Sequence, residues 1–181
     1  MTKNTQQQVF IGLINPKSPS NVGSVMRAAG CYQADAVFYT GQRYARAAKF
    51  NTDTKNINKQ IPLTGIEDII AAKTATMKIV CVDLVEGAIP LPEYLHPEQA
   101  LYILGPEDGS IEQAIIDQAD DVVYIPTIGC MNLAATTNVV LYDRLAKMQT
   151  LTASDKLIKQ SRDTNNKTKT KTKSKIKSKV K

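Results

Sequence analysis

Three stretches of this chain place polar side chains beside a glycine or proline turn at the apparent start of a helix. They are Asn21 with Arg27, the run Leu104-Gly105-Pro106-Glu107-Asp108-Gly109, and the run from Ile125-Pro126 to Cys130-Met131-Asn132-Leu133. Each follows an apolar segment that reads as a strand. At a helix start the backbone N–H groups lack partners and face outward, so such a turn suits a small charged or polar ligand. The side chains on offer are one guanidinium (Arg27), one carboxylate (Glu107) and two amides (Asn21, Asn132). A guanidinium, with a pKa above ~12, is a poor base and serves better to orient a substrate and stabilise charge. These side chains offer positioning and hydrogen bonding.

Each residue also has a plainer reading. Arg27 alone could be a surface arginine on an exposed helix face. It lies six positions after Asn21, about one and two-thirds turns, so the two do not share a face, although Asn21 at the cap can turn toward the same pocket. Glu107 could be a first-turn acid favoured by the helix dipole, and Asn132 a helix cap only. Arg43, Arg46 and Lys49 form a basic cluster that fits phosphate groups or an ordinary solvated face. Leu104 and Ile125 could be strand core. Cys31, Cys81 and Cys130 show no CxxC spacing, and His96 is the lone histidine, which argues against a disulfide framework and a zinc site. Cys81 reads as core. Cys130 has no base spaced beside it, so a covalent nucleophile is disfavoured. His96, between Leu95 and Pro97, reads as a surface residue.

The elements that must hold these residues alternate. Val9–Ile14, Ala36–Tyr39, Lys78–Asp83, Ala100–Leu104 and Asp121–Ile125 read as strands; Val22–Cys31, Ile66–Ala72, Ser110–Gln118 and a segment from Asn132 to about Met148 read as helices. Arg43–Phe50 reads as a small basic helix or ordered loop, and Glu86–Pro97, with three prolines, as loop. This alternation predicts an α/β fold with a largely parallel sheet flanked by helices. Ligands in such sheets bind beyond the carboxyl ends of the strands, where all three turns fall.

At 181 residues and 43% hydrophobic, the chain allows one domain with a real core. The organisation expected is a flexible N-terminus (1–8), a globular domain (9–150) and a disordered Lys-rich tail (151–181). The formal charge of +6 hides an asymmetry. From Asp155 to Lys181 there are eleven Lys/Arg against two Asp, leaving the rest with twelve basic and fifteen acidic groups. A mildly acidic globule thus carries a strongly basic tail. Such tails bind nucleic acid through phosphates; the alternative is a solubilising extension. No apolar run approaches the roughly 20 residues of a membrane span, and the N-terminus lacks the apolar region of a signal peptide. A cytoplasmic protein is expected.

Asn15-Pro16 followed by Asn21-Val22-Gly23-Ser24-Val25-Met26-Arg27 resembles the first motif of the SpoU/TrmH family of SPOUT RNA methyltransferases. Leu104 to Gly109 resembles the second motif. Ile125-Pro126 with Cys130 to Leu133 and the helix to Leu145 resembles the third. The match spans roughly Val9 to Met148, in order. The resemblance implies a SPOUT (alpha/beta knot) fold with a C-terminal trefoil knot. It implies S-adenosylmethionine (AdoMet) as cofactor, methyl transfer to a ribose 2′-hydroxyl of RNA, and a homodimer with its sites near the interface. By the same resemblance Arg27, Asn21, Glu107 and Asn132 are the catalytic set, with Arg27 gripping the phosphate beside the target ribose. Leu84, Leu104, Gly105, Glu107, Gly109, Ile125, Cys130, Met131 and Leu133 would hold the cofactor, and Arg27, Arg43, Arg46 and Lys49 the RNA. The chain departs from the family at Cys130, where serine is usual, and in a short loop from Ile125 to Asn132. Transfer RNA is slightly favoured over ribosomal RNA, because small members without an added RNA-binding domain look like tRNA enzymes. The alternative is a non-catalytic RNA-binding or ribosome-assembly module that kept the fold. A Rossmann-type nucleotide enzyme is disfavoured, since no GxGxxG follows the first strand.

Overall fold

The computed structural model describes residues 7–48, 61–148 and 153–170. The chain divides into two units, 1–149 and 150–181. Among the described residues the first is built on seven strands: β1 (Gln8–Leu13), β2 (Ala36–Tyr39), β3 (Leu63–Gly65), β4 (Lys78–Val82), β5 (Ile89–Pro90), β6 (Gln99–Leu104) and β7 (Asp121–Tyr124). They form one sheet in the order β3-β2-β1-β6-β4-β7-β5. Every pairing is parallel, as the alternation of elements predicts.

Both parities of the central strands are apolar because both faces are covered. Ala100, Tyr102 and Leu104 of β6 pack with Ile11, Leu13, Val80 and Val82 beneath α1 (Pro19–Cys31) and α4 (Leu133–Met148). Leu101 and Ile103 face the other way, with Ile79, Cys81, Ile69 and Ile111. Each such side chain contributes about 1.5–3 kcal/mol through burial. Cys81 is core, as expected, and burial, with the Asp83 carboxylate adding to it, pushes its thiol up to about 12. In register, Leu13 lies beside Leu104, and Leu104 beside Val82. The carboxyl ends of β1, β6 and β4 therefore form one rim.

Several sequence readings need correction. The helix expected over Ile66–Ala72 is one 3₁₀ turn, Ile70–Ala72, preceded by the edge strand β3. Asp68 accepts from the Ile70 N–H (2.9 Å) and starts that turn. Ile69 is buried against Gly12, where a Cβ would meet Ile69 Cγ1 at 2.8 Å; this close approach selects glycine in β1. The helix expected over Ser110–Gln118 is reduced to α3 (Gln113–Ile116). Ile111 is buried and its N–H donates to Asp83, which ties the preceding residues down ahead of α3. Helix α1 begins three residues before the expected N-terminus. Ser18 is its cap, accepting from Asn21 N (3.4 Å), and Pro19 follows; Asn21 lies in the first turn, not at the cap. The loop at Glu86–Pro97 contains β5 and a 3₁₀ turn, Leu91–Glu93.

His96 is not a surface residue: its side chain has 0% exposure. Its Nδ1 is 2.6 Å from the Tyr102 hydroxyl and its Nε2 is 2.8 Å from Asp143 Oδ2. Arg144, also buried, donates to Tyr102 Oη (3.2 Å) and to the carbonyls of Pro97 and Glu98. Lys147 donates to the carbonyls of Leu91 and Tyr94. The loop is thus clamped to α4 by part-buried charge-assisted bonds, which a linear sequence does not reveal.

In the second unit, Asp155–Ser161 forms α5, where a disordered tail is expected. Ser154 caps it by accepting from Leu157 N (3.2 Å), and Asp155 favours its first turn. Residues 171–181 of the Lys-rich run lie outside the described residues. No helix among the described residues is long and apolar enough to cross a membrane.

Candidate functional site

The three turns singled out in the sequence meet beyond the rim of β4, β6 and β7. They enclose a cavity of about 360 Å³, within the range of small-ligand sites, roughly 300–1,000 Å³. From the end of β4 come Val82, Asp83 and Leu84; from the end of β6, Leu104, Gly105, Pro106, Glu107 and Gly109; from the end of β7, Tyr124, Ile125 and Thr127. The approach to α4 and its first turns adds Cys130, Met131, Asn132, Leu133 and Thr136, and α1 adds Asn21.

Local bonds fix this arrangement. Asn132 Oδ1 accepts from Ala135 N (2.7 Å), so Asn132 caps α4 while lining the cavity. Thr127 donates to the Gly129 carbonyl (2.7 Å) and folds the short loop back on itself. Asp83 accepts from Leu84 N through Oδ1 (2.7 Å) and from Ile111 N through Oδ2 (2.8 Å), joining β4 to the segment before α3. Gly105 lies against this carboxylate: a Cβ there would sit 3.4 Å from Asp83 Oδ2 and 3.3 Å from Ile111 Cγ1.

Glu107 bridges two turns. It accepts from Lys17 N (2.8 Å), Ser18 N (3.1 Å) and Asn21 Nδ2 (3.2 Å). Partial burial pushes its carboxyl up, but these donors outweigh that and hold it below the usual carboxylate range. The sequence leaves open whether Glu107 belongs to the site or serves the helix that follows it. The geometry instead joins it to Asn21 and to the entry of α1.

Eleven residues expected at the site line the cavity: Asn21, Leu84, Leu104, Gly105, Glu107, Gly109, Ile125, Cys130, Met131, Asn132 and Leu133. The basic residues do not. Arg27 is exposed on α1 and is not among the lining residues. Arg43, in α2 (Arg43–Ala48), makes a two-pronged pair with Asp108 (2.8 and 3.1 Å), and Lys17 lies 3.9 Å from the same carboxylate. Hydrogen bonding from Arg43 pulls the Asp108 carboxyl below its usual range. Arg46 donates to Gln42 Oε1 (2.7 Å). Lys49 lies outside the described residues. Sequence reasoning missed Asp83, whose only signal is an acid directly after an apolar strand, and Thr127 and Thr136, which carry none.

The cavity suits AdoMet by its donor set. Val82, Leu84, Leu104, Ile125, Met131 and Leu133 supply apolar walls for an adenine, and two carboxylates face a ligand that bears positive charge.

An all-parallel α/β sheet with this site at its carboxyl rim defines a class, and residues 8–142 match the SpoU rRNA Methylase family. The chain belongs to that family. It is 26% identical over 152 residues to a 23S rRNA (guanosine-2′-O-)-methyltransferase, RlmB, of Acinetobacter baylyi, covering 79% of this chain and 61% of that protein. The chain thus spans less than two thirds of the length of this curated relative. Among solved structures, one described as giving insight into the 2-OH methylation of C/U34 on tRNA superposes with a TM-score of 0.67 at 17% identity, over 79% of this chain and 92% of that one. The SpoU methyltransferase AviRb of Streptomyces viridochromogenes, in complex with AdoMet, gives 0.64 at 17% identity, over 80% and 62%. At these identities the structural likenesses speak to the fold, which is that of the SPOUT methyltransferases.

Proposed function

We propose that this protein transfers a methyl group from AdoMet to a ribose 2′-hydroxyl of RNA, as a homodimer in the cytoplasm. The observation that carries the reading is the convergence of three motif-bearing turns on one cavity, in a chain of the SpoU family. AdoMet, when bound, supplies an electrophilic methyl on a sulfonium. The protein's part is to hold the hydroxyl in line with it; such positioning can supply on the order of 7–11 kcal/mol at best. The apolar walls would hold the adenine, and glycine at 105 would let the backbone approach it closely. Glu107 fixes Asn21, and Asn132 lines the cavity while its oxygen caps α4. Arg27, exposed and outside the cavity, meets the RNA phosphate and steadies charge on the 2′-oxygen, most simply at the cavity of the second copy.

A tRNA substrate is favoured over rRNA. The support is the likeness to a structure described as giving insight into the 2-OH methylation of C/U34 on tRNA, although a 23S rRNA enzyme is also among the relatives. The test is incorporation of labelled methyl from AdoMet into purified tRNA and rRNA, followed by mapping of 2′-O-methylated nucleotides. Incorporation into rRNA alone rejects the tRNA assignment. Absence of AdoMet binding by calorimetry rejects the enzyme and favours a non-catalytic RNA-binding module.

A further inference from the structure

Charge in the cavity is one-sided. Among the described residues it is lined by two carboxylates, Asp83 and Glu107, and by no Lys, Arg or His. The nearby cations Lys17 and Arg43 are engaged by Asp108, which does not line it. Glu107 is occupied by its three donors at the mouth of α1. Asp83 is half-buried beside Gly105, and each of its oxygens accepts one backbone N–H. Those bonds hold the carboxylate in place without removing its charge, and each oxygen keeps acceptor capacity.

The methyltransferase reading adds a constraint. In the transfer an O–C bond forms, the S–C bond breaks and its electron pair returns to sulfur, and the hydroxyl proton leaves to solvent. The cofactor therefore enters with a sulfonium, an ammonium and a carboxylate, net +1, and leaves as S-adenosylhomocysteine, a thioether of net zero charge. A cavity with only negative lining distinguishes the two without any change of shape.

Resting on that reading, we propose that Asp83 makes the cavity charge-selective, holding the sulfonium substrate in preference to the thioether product. A single carboxylate in a partly desolvated site is worth on the order of tenfold in affinity for one unit of ligand charge several ångströms away. The same residue thereby promotes product release, because the charge it attracts is gone once the methyl has moved.

The experiment is calorimetric titration of the full chain, wild type and Asp83→Asn, with AdoMet, S-adenosylhomocysteine and sinefungin, a stable analogue with a protonated amine in place of the sulfonium methyl. The expected result is a loss of about tenfold in affinity for AdoMet and sinefungin, with S-adenosylhomocysteine within about twofold. If Asp83→Asn does not fold, the wild-type chain still decides: sinefungin must bind more tightly than S-adenosylhomocysteine, the same skeleton without the charge. Equal weakening of all three ligands, or equal wild-type affinities, overturns charge selection and leaves the methyltransferase reading standing. No wild-type affinity for any of them overturns both.

Discussion

Asn21 donates through Nδ2 to Oε1 of Glu107 at 3.2 Å, across 86 positions of sequence. The same carboxylate takes the Lys17 and Ser18 N–H groups, so one side chain joins the β6 turn to the start of α1. Glu107→Ala leaves three donors to exposed solvent. We expect a stability loss of only about 1 kcal/mol in urea unfolding, since water replaces the acceptor. Methyl transfer should fall much further, by more than the fraction unfolded explains. Activity that tracks stability alone would reduce Glu107 to a structural tie.

Arg27 does not line the cavity and is exposed on α1. Arg27→Ala should therefore change stability by no more than about 0.5 kcal/mol. Under the proposed mechanism it removes methyl incorporation into RNA by about 100-fold or more, with AdoMet affinity unchanged by calorimetry. Full activity in this variant would reject the catalytic assignment.

His96 carries a pH signature. Burial lowers its pKa from the ordinary 6.5, with Arg144 and Lys147 also lowering it and Asp143 opposing. The bonds fit a neutral ring. Arg144 can only donate to Tyr102, Tyr102 O–H then donates to Nδ1, and Nε2–H donates to Asp143. Below pH 6.5 the unfolded chain takes up a proton that the folded chain refuses. Stability from this group is thus full above that value and falls as the pH drops through it, by at most about 1.4 kcal/mol per pH unit. Urea midpoints from pH 8 to pH 5 measure it. The chain has one histidine, so His96→Gln should flatten that step specifically.

Asp108 occupies Arg43, which the sequence offers to RNA. Asp108→Asn frees the guanidinium, and the salt dependence of RNA binding should steepen by about one phosphate contact, a slope change near 0.9 in log–log form. Arg43→Ala should show no such gain. Identical slopes in wild type and Asp108→Asn would mean that Arg43 does not meet RNA.

The segment from Asp155 to Lys181 carries eleven Lys/Arg against two Asp. Its deletion should weaken RNA affinity and flatten the salt dependence while leaving AdoMet binding intact. Filter binding from about 50 to 200 mM salt decides; unchanged affinity throughout would make the segment a solubilising extension.

Apolar runs at Val9–Ile14, Lys78–Asp83 and Ala100–Leu104 were enough to define a parallel α/β sheet, because strands covered on both faces cannot alternate with polar residues. The turn chemistry at Gly105 and Asn132 likewise marked the cavity, since a ligand site at a strand end needs close backbone and helix starts. Long-range pairing lay beyond reach of the linear chain. Asp83 is an ordinary acid until β6 brings Gly105 beside it. Glu107 is a helix-dipole acid until the fold turns it toward α1. His96 in a proline-rich loop reads as exposed until α4 supplies Asp143 and Arg144. Local pattern determined the five longer strands and which turns meet at the cavity. Only the tertiary structure decided which charges are spent on each other and which are left for a ligand, because that depends on partners tens of residues away and on the burial they share.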